Sequence, residues 1–470
     1  MKVSFHHVAL LTSLSLSTVL LHAQRRSAGC LYDSALAESV PEIALTRGDY
    51  DLHRRASLKM YCPTPGDQGD TGTCTGWASA YAARTIIEAQ QYGITDRKRI
   101  DQVAFSPSFI YNQIRNPADY NCTQGATLPH ALNVLRKSGA LPYKEYGFDC
   151  DKPISFEQRM RARSKVIQGY NRLYHARTNT NTQTLIDGVR KALAEGKPVI
   201  CSVRYLSSLD DAQKWWVLSP EEKEGYYHNA HGYHAVAIVS YDDDLEGGAF
   251  EIMNSWGTHW GDGGFAWIKY EDFKYVCVEA YELISFPPEN IRTRFGASIR
   301  IKQKSEELIP LVRNLNEAGL YHTQKAYPPG MQFQFELSTE GQMYFYAFSI
   351  DKYERISRMF PRHNQESPLI GYSYAHLVIP GEKLYFQIDN TPSSEYMYFI
   401  FSRKAISLEE IIASVQRLKN LPPEARIKQV LRQNGLLKEE GKIKYEYSSA
   451  SFQDEVSNLA VPIIIEMKRR

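Results

Sequence analysis

The sequence contains neither a Cys-x-x-Cys nor a His-Glu-x-x-His spacing, so it offers no familiar metal-site motif and we expect no metal or other cofactor. It also lacks an excess of charge of one sign, because 55 Lys and Arg residues are balanced by 53 Asp and Glu residues. That balance gives no electrostatic reason to expect a nucleic-acid partner. A chain of 470 residues with 43% hydrophobic and 23% charged residues should form two or three globular domains.

The apolar run between residues 8 and 21 is too short to span a membrane comfortably. Together with Lys2 before it and Ala23 after it, the run predicts a secretory signal peptide over residues 1–23. We therefore expect export to the periplasm, the cell surface or the medium. A lipoprotein anchored at Cys30 is the weaker alternative, because Gln24-Arg25-Arg26 separates the apolar run from the loose lipobox Ser-Ala-Gly-Cys30.

Residues 74–89 contain no proline and a single glycine, Gly76, and are rich in Ala, Trp, Tyr and Ile. This composition predicts a mostly buried helix that begins at Cys74. Unpaired backbone N–H groups in the first turn favour a thiolate over a thiol, so we interpret Cys74 as a nucleophile. The alternative for a cysteine in an exported protein is a core residue or half of a disulfide.

A thiolate nucleophile needs a base and a group that orients the base. His234 directly precedes the β-branched run Ala-Val-Ala-Ile-Val, and Asn254 ends the strand-like run Phe-Glu-Ile-Met. Three further histidines lie near these residues, but none immediately precedes a strand-like run: His228, His231 and His259. We therefore expect His234 to act as the base and Asn254 to hold it.

These blocks resemble the papain-like cysteine peptidases over about residues 56 to 287. Gln68 stands six residues before Cys74, the family's spacing for the side chain that helps to bind the oxyanion. The run Asn254-Ser-Trp256-Gly matches the family's orienting asparagine and the tryptophan that shields it. A less specific match to the family is the run Phe105-Ser-Pro-Ser-Phe-Ile-Tyr-Asn, followed by Gly125-Ala-Thr-Leu-Pro-His-Ala-Leu.

The resemblance implies an α+β, two-lobed fold. A helical lobe over residues 56–165 would face an antiparallel, barrel-like sheet lobe over residues 166–287, with the active site in the cleft between them. It also implies hydrolysis of a peptide or protein substrate through a thioester acyl-enzyme.

The sequence departs from the family signature at two positions beside Cys74. Thr71 stands where a family cysteine would be, and Thr75 stands where an aromatic residue is expected, which leaves that role to Trp77. The family's long helical pro-domain is missing, so residues 24–55 are interpreted as a short pro-segment or extension. We expect a divergent, bacterial-type branch.

Six cysteines remain besides Cys74, an even number that favours pairing but allows 15 connectivities: Cys30, Cys62, Cys122, Cys150, Cys201 and Cys277. Cys122 and Cys150 fall where the papain-like fold has bridged cysteines, so the resemblance implies that pair. Cys201 and Cys277 lie in strand-like runs, where buried free thiols are an open alternative.

Pro287-Pro288 marks a domain boundary. Residues 331–337 and 384–388 alternate apolar and polar side chains, and residues 343–350 and 396–401 are aromatic-rich, which predicts a β-sandwich over residues 295–405. It resembles an uncharacterised accessory domain found beside peptidases of exported bacterial proteins. Residues 406–470 should form a helical tail, begun by a capping box at Ser407 and ended by a strand, that packs on the sandwich.

Two other functions are compatible with these features. One is a non-catalytic adhesion protein on a peptidase scaffold, with the β-domain contacting a cell surface or envelope. The other is a cysteine-dependent acyl transferase or amidase, which would share the acyl-enzyme. The intact set of Gln68, Cys74, His234 and Asn254 argues against the adhesion protein. The block Asn254-Ser-Trp256 favours the peptidase over the transferase or amidase.

Overall fold

The computed structural model describes residues 28–43, 52–177, 182–225, 231–287, 295–372, 374–391, 393–446, 449–455 and 458–470. The predicted signal peptide lies outside these residues, as does most of the predicted linker after Pro287. None of the described helices is long and apolar enough to cross a membrane.

The helical lobe is built around one continuous helix, here called the nucleophile helix. It comprises α-helical Cys74–Gly76, π-helical Trp77–Arg84 and α-helical Thr85–Gln91. Small alanine side chains let neighbouring elements approach it on several sides, and a Cβ atom at Gly76 would lie only 2.4 Å from the Pro107 carbonyl oxygen. The predicted helix start is confirmed at Cys74, and a π segment of this kind often occurs at functional sites.

Shorter helices surround the nucleophile helix. The predicted start at Ser106 is confirmed, since its hydroxyl accepts a hydrogen bond from the Phe109 N–H at 3.1 Å and Pro107 occupies the first turn. The helices of the two lobes and their connections are Ser34–Ser39, Lys59–Tyr61 (3-10), Arg97–Val103, Pro107–Ile114, Leu128–Lys137, Tyr143–Tyr146, Phe156–Ala162, Arg163–Lys165 (3-10), Thr182–Ala194, Ser207–Asp210, Pro220–Glu224 and Tyr270–Val276.

The second lobe is a seven-stranded sheet in the order β2-β7-β3-β4-β5-β6, with β1 pairing to β4. Its strands are β1 (Arg55–Ser57), β2 (Gly169–His175), β3 (Val199–Arg204), β4 (Tyr233–Asp242), β5 (Ala249–Met253), β6 (Phe265–Lys269) and β7 (Cys277–Ile284). The strands predicted around residues 200, 237, 251 and 266 are confirmed. Every pairing is antiparallel, as expected.

The sheet is open, which corrects the expectation of a barrel-like lobe. Its end strands, β2 and β6, are not paired with each other among the described residues. The nucleophile helix packs on β3 and β4, so the sheet is closed by a helix rather than by further strands. This packing brings the start of β4 to the start of the nucleophile helix.

Two further seven-stranded sheets form the C-terminal sandwich. One has the order β10-β11-β21-β18-β13-β14 with β15 on β13, and the other has the order β16-β12-β8-β20-β19 with β9 on β8 and β17 on β12. Aromatic side chains join the sheets: the rings of Phe335 and Phe399 lie 5.0 Å apart, as do those of Phe401 and Phe452. The strands are β8 (Gly296–Gln303), β9 (Leu308–Ile309), β10 (Leu311–Arg313), β11 (Leu320–Thr323), β12 (Gln332–Glu340), β13 (Met343–Ile350), β14 (Ile356–Phe360), β15 (Leu369–Ile370), β16 (Tyr374–Ile379), β17 (Phe386–Gln387), β18 (Glu395–Ser402), β19 (Ile443–Tyr445), β20 (Ala450–Asp454) and β21 (Ala460–Met467).

The sandwich does not end at residue 405, which corrects the predicted division between sandwich and tail. β21 lies inside one sheet, between β11 and β18, and β20 lies inside the other, between β8 and β19. Residues 461–465 of β21 are buried, as expected for a strand at the centre of a sheet. Two helices, Leu408–Arg417 and Pro423–Gln433, precede these strands, and a 3-10 turn lies at Glu440–Lys442.

A buried polar cluster connects the sandwich to the sheet lobe. Glu282 of β7 accepts hydrogen bonds from Asn171 at 2.8 Å and from the hydroxyl of Tyr372 at 3.2 Å, and it pairs with Lys197 at 3.4 Å. The Lys197 ammonium also lies 3.1 Å from the centroid of the Tyr372 ring. Tyr372 is the sandwich's contribution to this cluster, because Asn171, Lys197 and Glu282 all belong to the sheet lobe.

Truncating Ile464, a fully buried residue of β21, should destabilise the sandwich strongly. We expect Ile464→Ala to lower the free energy of unfolding by about 2–5 kcal/mol, the usual cost of such a cavity. Leu315→Ala is the control, because that side chain is 74% exposed and its loss should cost no more than about 0.5 kcal/mol. Urea unfolding followed by fluorescence measures both. Equal effects would contradict a central position for β21.

Candidate active site

Two neighbouring strands position the histidine and the asparagine. His234 is the second residue of β4, and Asn254 directly follows β5. His234 Nε2 lies 2.7 Å from Asn254 Oδ1, and both side chains are buried. An amide oxygen can only accept a hydrogen bond, so this contact assigns the ring proton to Nε2. Nδ1 is buried and has no hydrogen-bond partner among the described residues, which leaves it able to accept a proton.

Trp256 covers the histidine ring. The two ring centroids lie 4.7 Å apart, and Trp256 is 1% exposed. The structure therefore places Trp256 where the sequence prediction put it, between the His234–Asn254 contact and water. Trp77 lies further from the ring: it packs on Tyr81 and Phe148 and, with Asn254 and Ser255, lines a small gap between the nucleophile helix and the sheet.

Gln68 is held by contacts on both sides of its side-chain amide. Its Oε1 accepts a hydrogen bond from the Ser255 hydroxyl at 2.7 Å, and its Nε2 donates to the Thr71 carbonyl at 2.6 Å. The Gln68 backbone N–H also donates to the Ser255 carbonyl at 2.9 Å. Ser255 follows Asn254, so these bonds tie the loop before Cys74 to the residue that orients the histidine.

Thr71, which stands where the family signature has a cysteine, forms hydrogen bonds within the loop before Cys74. Its hydroxyl donates to the Gln68 carbonyl at 2.7 Å and lies 2.8 Å from the hydroxyl of Thr73. Thr73 precedes Cys74 in the turn that begins the helix. Hydrogen bonds thus hold this loop where a disulfide would otherwise do so.

Cys74 lies at the first position of the nucleophile helix, buried against the start of β4. The backbone amides of Ala235, Gly29 and Thr75 lie close enough to the sulfur to lower the pKa of its thiol. Ala235 follows His234 directly, so sulfur and imidazole belong to one site. The two side chains are not hydrogen-bonded to each other here, since Nδ1 has no partner.

Burial sets the protonation of this pair. Desolvation raises the pKa of the Cys74 thiol to about 11, an effect that the N–H donors of Ala235 and Gly29 oppose without cancelling. Desolvation likewise lowers the pKa of His234 to about 4, although the bond to Asn254 acts in the opposite direction. The expectation of a thiolate at Cys74 is therefore wrong for this closed structure: at neutral pH the pair is thiol and imidazole.

A short segment of the chain's own N-terminal region causes this burial. Residues 28–33, here called the strap, cross the cleft between the lobes. The Cys30 N–H donates to the Tyr233 carbonyl at 3.1 Å, on the sheet lobe. On the helical lobe, the Leu31 N–H donates to the Ala126 carbonyl at 2.9 Å and the Ala126 N–H donates to the Gly29 carbonyl at 3.0 Å.

The strap fits closely against the loop before Cys74. A Cβ atom at Gly29 would lie 2.1 Å from backbone atoms of Gly72, so only glycine fits there without displacement. Beyond the strap, the helix Ser34–Ser39 leads to Glu42, whose backbone bonds to Gln365 and Ser367 of the sandwich. The sequence did not lead us to expect contacts from residues 24–55. The small side chains of Ala28 and Gly29 are the sequence feature that indicates a close backbone approach.

One disulfide is present among the described residues. Cys122 and Cys150 are bonded, with Cα atoms 5.8 Å apart, which confirms the predicted pair. The Gly72 N–H donates to the Cys122 carbonyl at 2.6 Å, so the bridge supports the loop that leads to Cys74. The remaining cysteines are buried free thiols: Cys30, Cys62, Cys74, Cys201 and Cys277. Cys201 and Cys277 thus follow the alternative of unpaired thiols.

Two of the three competing histidines lie in other surroundings. His231 is near the Ser207 hydroxyl, at 3.3 Å, and His259 is exposed on the turn after Trp256. His228 lies outside the described residues. Among the described residues, His234 is the histidine that the fold brings to Cys74.

Comparisons with known proteins point to one family over the two lobes. A family model described as papain family cysteine protease matches residues 54–284, close to the predicted range. An uncharacterized peptidase C1-like protein of Acanthamoeba polyphaga mimivirus is 24% identical over 292 residues, covering 58% of this chain and 85% of that protein. Cathepsin B-like CP2 of Giardia intestinalis is 27% identical over 215 residues, covering 43% of this chain and 63% of that protein.

Among solved structures, xylellain, a cysteine protease from Xylella fastidiosa, aligns with 23% identity and a TM-score of 0.45. The alignment covers 56% of this chain and 99% of that one. The sandwich that follows residue 295 lies beyond the matched family range. Residues 54–284 match the papain family of cysteine proteases, and the chain is a papain-like cysteine peptidase over this range.

Proposed function

We propose that this chain is an exported endopeptidase that cleaves peptide bonds with Cys74 as nucleophile, His234 as base and acid, and Asn254 as the residue that positions the histidine. The observation that carries the proposal is the His234–Asn254 contact of 2.7 Å, which leaves the buried Nδ1 without a partner beside the Cys74 helix. An imidazole held in this way has one nitrogen committed to orientation and the other available for proton transfer.

The chemistry follows from these positions once substrate replaces the strap. Nδ1 of His234 takes the thiol proton, and the Cys74 sulfur attacks the substrate carbonyl carbon. Negative charge then develops on the carbonyl oxygen, where the Gln68 Nε2 and the Cys74 backbone N–H would donate. His234 returns the proton to the departing amine, and a water molecule activated by the same ring hydrolyses the thioester.

We further propose that the strap keeps the enzyme latent. It fills the cleft from both lobes, and it buries the pair so that neither the thiolate nor the imidazolium is favoured. Removing it would return water and substrate to Cys74. This interpretation gives residues 24–55 the role of a short pro-segment, and export, predicted from residues 1–23, sets where activation would occur.

The burial and pairing of these residues support a peptidase over the two alternatives. A decayed adhesion scaffold has no need for an intact Cys74, His234 and Asn254 beneath Trp256. An acyl transferase or amidase would share the thioester, so product analysis separates it from a peptidase: only the peptidase releases two peptides with a free carboxylate and a free amine.

Substitutions of the site residues should reduce the epoxide labelling of Cys74 and the hydrolysis of peptides to different extents. Cys74→Ala should abolish both, and His234→Ala should abolish labelling of Cys74 by an epoxide that targets papain-like thiols. Gln68→Ala should lower kcat by about 10²–10³, the cost of one oxyanion donor. Gln91→Ala is the matched control, because Gln91 is an exposed residue at the far end of the same helix.

Peptide mass spectrometry locates the epoxide adduct, and hydrolysis of one peptide chosen from a library, at saturating concentration, gives kcat. Labelling at Cys62 or Cys201 in place of Cys74, or equal losses in Gln68→Ala and Gln91→Ala, would contradict the assignment.

Enlarging Gly29 should release the strap. A methyl group there collides with the Gly72 backbone, and overpacking of this kind costs about 1–3 kcal/mol, so opening should become roughly 5- to 150-fold more frequent. We expect Gly29→Ala to speed epoxide labelling of Cys74 by a similar factor. Leu31→Ala, which trims a strap side chain that is 48% exposed, should leave the rate nearly unchanged. If Gly29→Ala labels at the wild-type rate, the strap does not control access.

A further inference from the structure

A cavity of about 520 Å³ lies where the helical lobe, the sheet lobe and the sandwich meet. One of its walls is the helix Ser34–Ser39, which continues from the strap and contributes Leu36. None of Cys74, His234 and Asn254 lines this cavity, so it is separate from the candidate active site. Cavities of this size at domain interfaces are typical binding sites for small ligands.

Contacts of the chain itself assemble the walls of the cavity. A Cβ atom at Gly169 of β2 would lie 2.6 Å from Leu369, so the sheet lobe and the sandwich touch directly at its edge. The segment that follows the helix Ser34–Ser39 also lies along β2, since the Arg172 N–H donates to the Pro41 carbonyl at 2.9 Å. A ligand would therefore meet walls that are already in place, which lowers the entropic cost of binding.

The described residues that line the cavity include a guanidinium and no carboxylate. Arg136, on the helix Leu128–Lys137, donates to Asn133 at 3.3 Å and forms no ion pair with any described residue. Its guanidinium lies 5.9 Å from the centroid of the Tyr170 ring. Burial raises the pKa of the Tyr170 and Tyr344 hydroxyls, and the charge of Arg136 opposes this rise at both. The cavity therefore favours an anionic group near the two tyrosines.

Gln168 lines the same cavity and carries a polar atom without a partner. The residue is 9% exposed, and its buried Oε1 accepts no hydrogen bond from any described residue. Its backbone carbonyl, by contrast, accepts from the Tyr344 hydroxyl at 3.5 Å. A buried acceptor without a donor costs about 1–3 kcal/mol, so an occupant that offers an N–H to Oε1 would remove this cost.

We propose that this cavity binds the carboxyl-terminal end of a peptide. The terminal carboxylate pairs with Arg136 through charge-assisted hydrogen bonds, and the last backbone N–H donates to Oε1 of Gln168. The last side chain, aromatic or large and apolar, packs on the rings of Tyr170 and Tyr344. Every peptide end carries this anion and this donor on one residue. An inorganic anion would supply the charge and leave the Gln168 oxygen and the apolar walls unmatched.

Binding at this cavity should also hold the strap in place. Leu36 follows the strap in the chain, so one wall is complete only in the closed structure. A ligand that binds the closed form better than the open form shifts the population toward the closed form. Peptides released by the enzyme end in a carboxylate, and here they would act as feedback inhibitors. This consequence rests on the proposed function, whereas the binding itself does not.

Titration calorimetry with the peptide acetyl-Ala-Ala-Phe tests the site in the full chain carrying Cys74→Ala, which removes the proposed nucleophile. We expect the free acid to bind more tightly than its C-terminal amide. Arg136→Gln should weaken binding of the acid by roughly 10- to 100-fold, as expected for loss of a charged hydrogen bond. Lys137→Gln is the matched control, because Lys137 is the next exposed basic residue of the same helix and does not line the cavity.

Replacing the last peptide N–H of the acid by an ester oxygen tests the contact with Gln168. The ester should bind more weakly than the peptide to the chain that carries Cys74→Ala alone, and as tightly as the peptide once Gln168→Leu is added. Equal affinities for acid and amide, no effect of Arg136→Gln, acetate binding as tight as that of the peptide, or no binding at all would each overturn the inference.

Epoxide labelling of the chain with Cys74 intact tests the consequence for the strap. A saturating concentration of the acid should slow the labelling of Cys74 in the wild-type chain and leave it unchanged in Arg136→Gln. Equal slowing in both chains would place the peptide in the catalytic cleft, and unchanged labelling in both would separate the cavity from the strap; either result would overturn the feedback. Absence of labelling without any peptide would instead count against the proposed function and leave the calorimetric result standing.

Discussion

The hydrogen bond between His234 and Asn254 is the constraint on which the rest of the site depends. It can form only because β4 and β5 are paired, and it assigns the proton to Nε2 and leaves Nδ1 to face the cleft. Asn254 Oδ1 also accepts the Ser255 N–H, and Ser255 holds both the backbone and the side chain of Gln68. The orientation of the base and the position of the oxyanion loop are therefore set by one connected network, sealed by Trp256.

Burial keeps water away from the hydrogen bonds of this network, and it also disfavours the charged forms of Cys74 and His234. With the strap in place, the backbone amides of Gly29 and Ala235 lie close to the Cys74 sulfur, and Nδ1 of His234 has no hydrogen-bond partner among the described residues. Helix N-termini favour a thiolate, but here the loss of solvation outweighs that effect. The latency we propose would thus follow from excluded water as much as from a blocked cleft. Because the same segment continues to Glu42 and the sandwich, release of the strap is mechanically connected to the second domain.

Local patterns made much of the site predictable. Cys74 stands at a composition change that begins a helix, His234 and Asn254 stand at the ends of strand-like runs, and the order of blocks resembles one family. The Cys122–Cys150 pair followed from that resemblance and was confirmed. The contacts of the strap were not predicted, because they join residues about 100 and 200 positions apart through backbone atoms and their sequence signal is limited to the small residues Ala28 and Gly29.

The remaining differences also arise from long-range packing. Periodicity identified the final strand of the tail, but its insertion between β11 and β18 depends on pairings that sequence does not display. The position of Cys74 at a helix start led us to expect a lowered pKa, whereas burial of the thiol raises it.

The central claim is that the chain holds a neutral thiol and imidazole beneath its own strap. Nitrogen-15 NMR of histidine-labelled full-length protein tests it directly, with the His234 signals assigned by their loss in His234→Gln. We predict a proton on Nε2 at pH 7 and titration only near pH 4. Because this pKa is below the ordinary value of about 6.5, the neutral His234 ring is compatible with the closed state above that pH. The closed state loses this contribution to its stability as the pH falls from about 6.5 toward 4. A proton on Nδ1 at pH 7, or a pKa at or above 6.5 with the strap in place, would contradict the account.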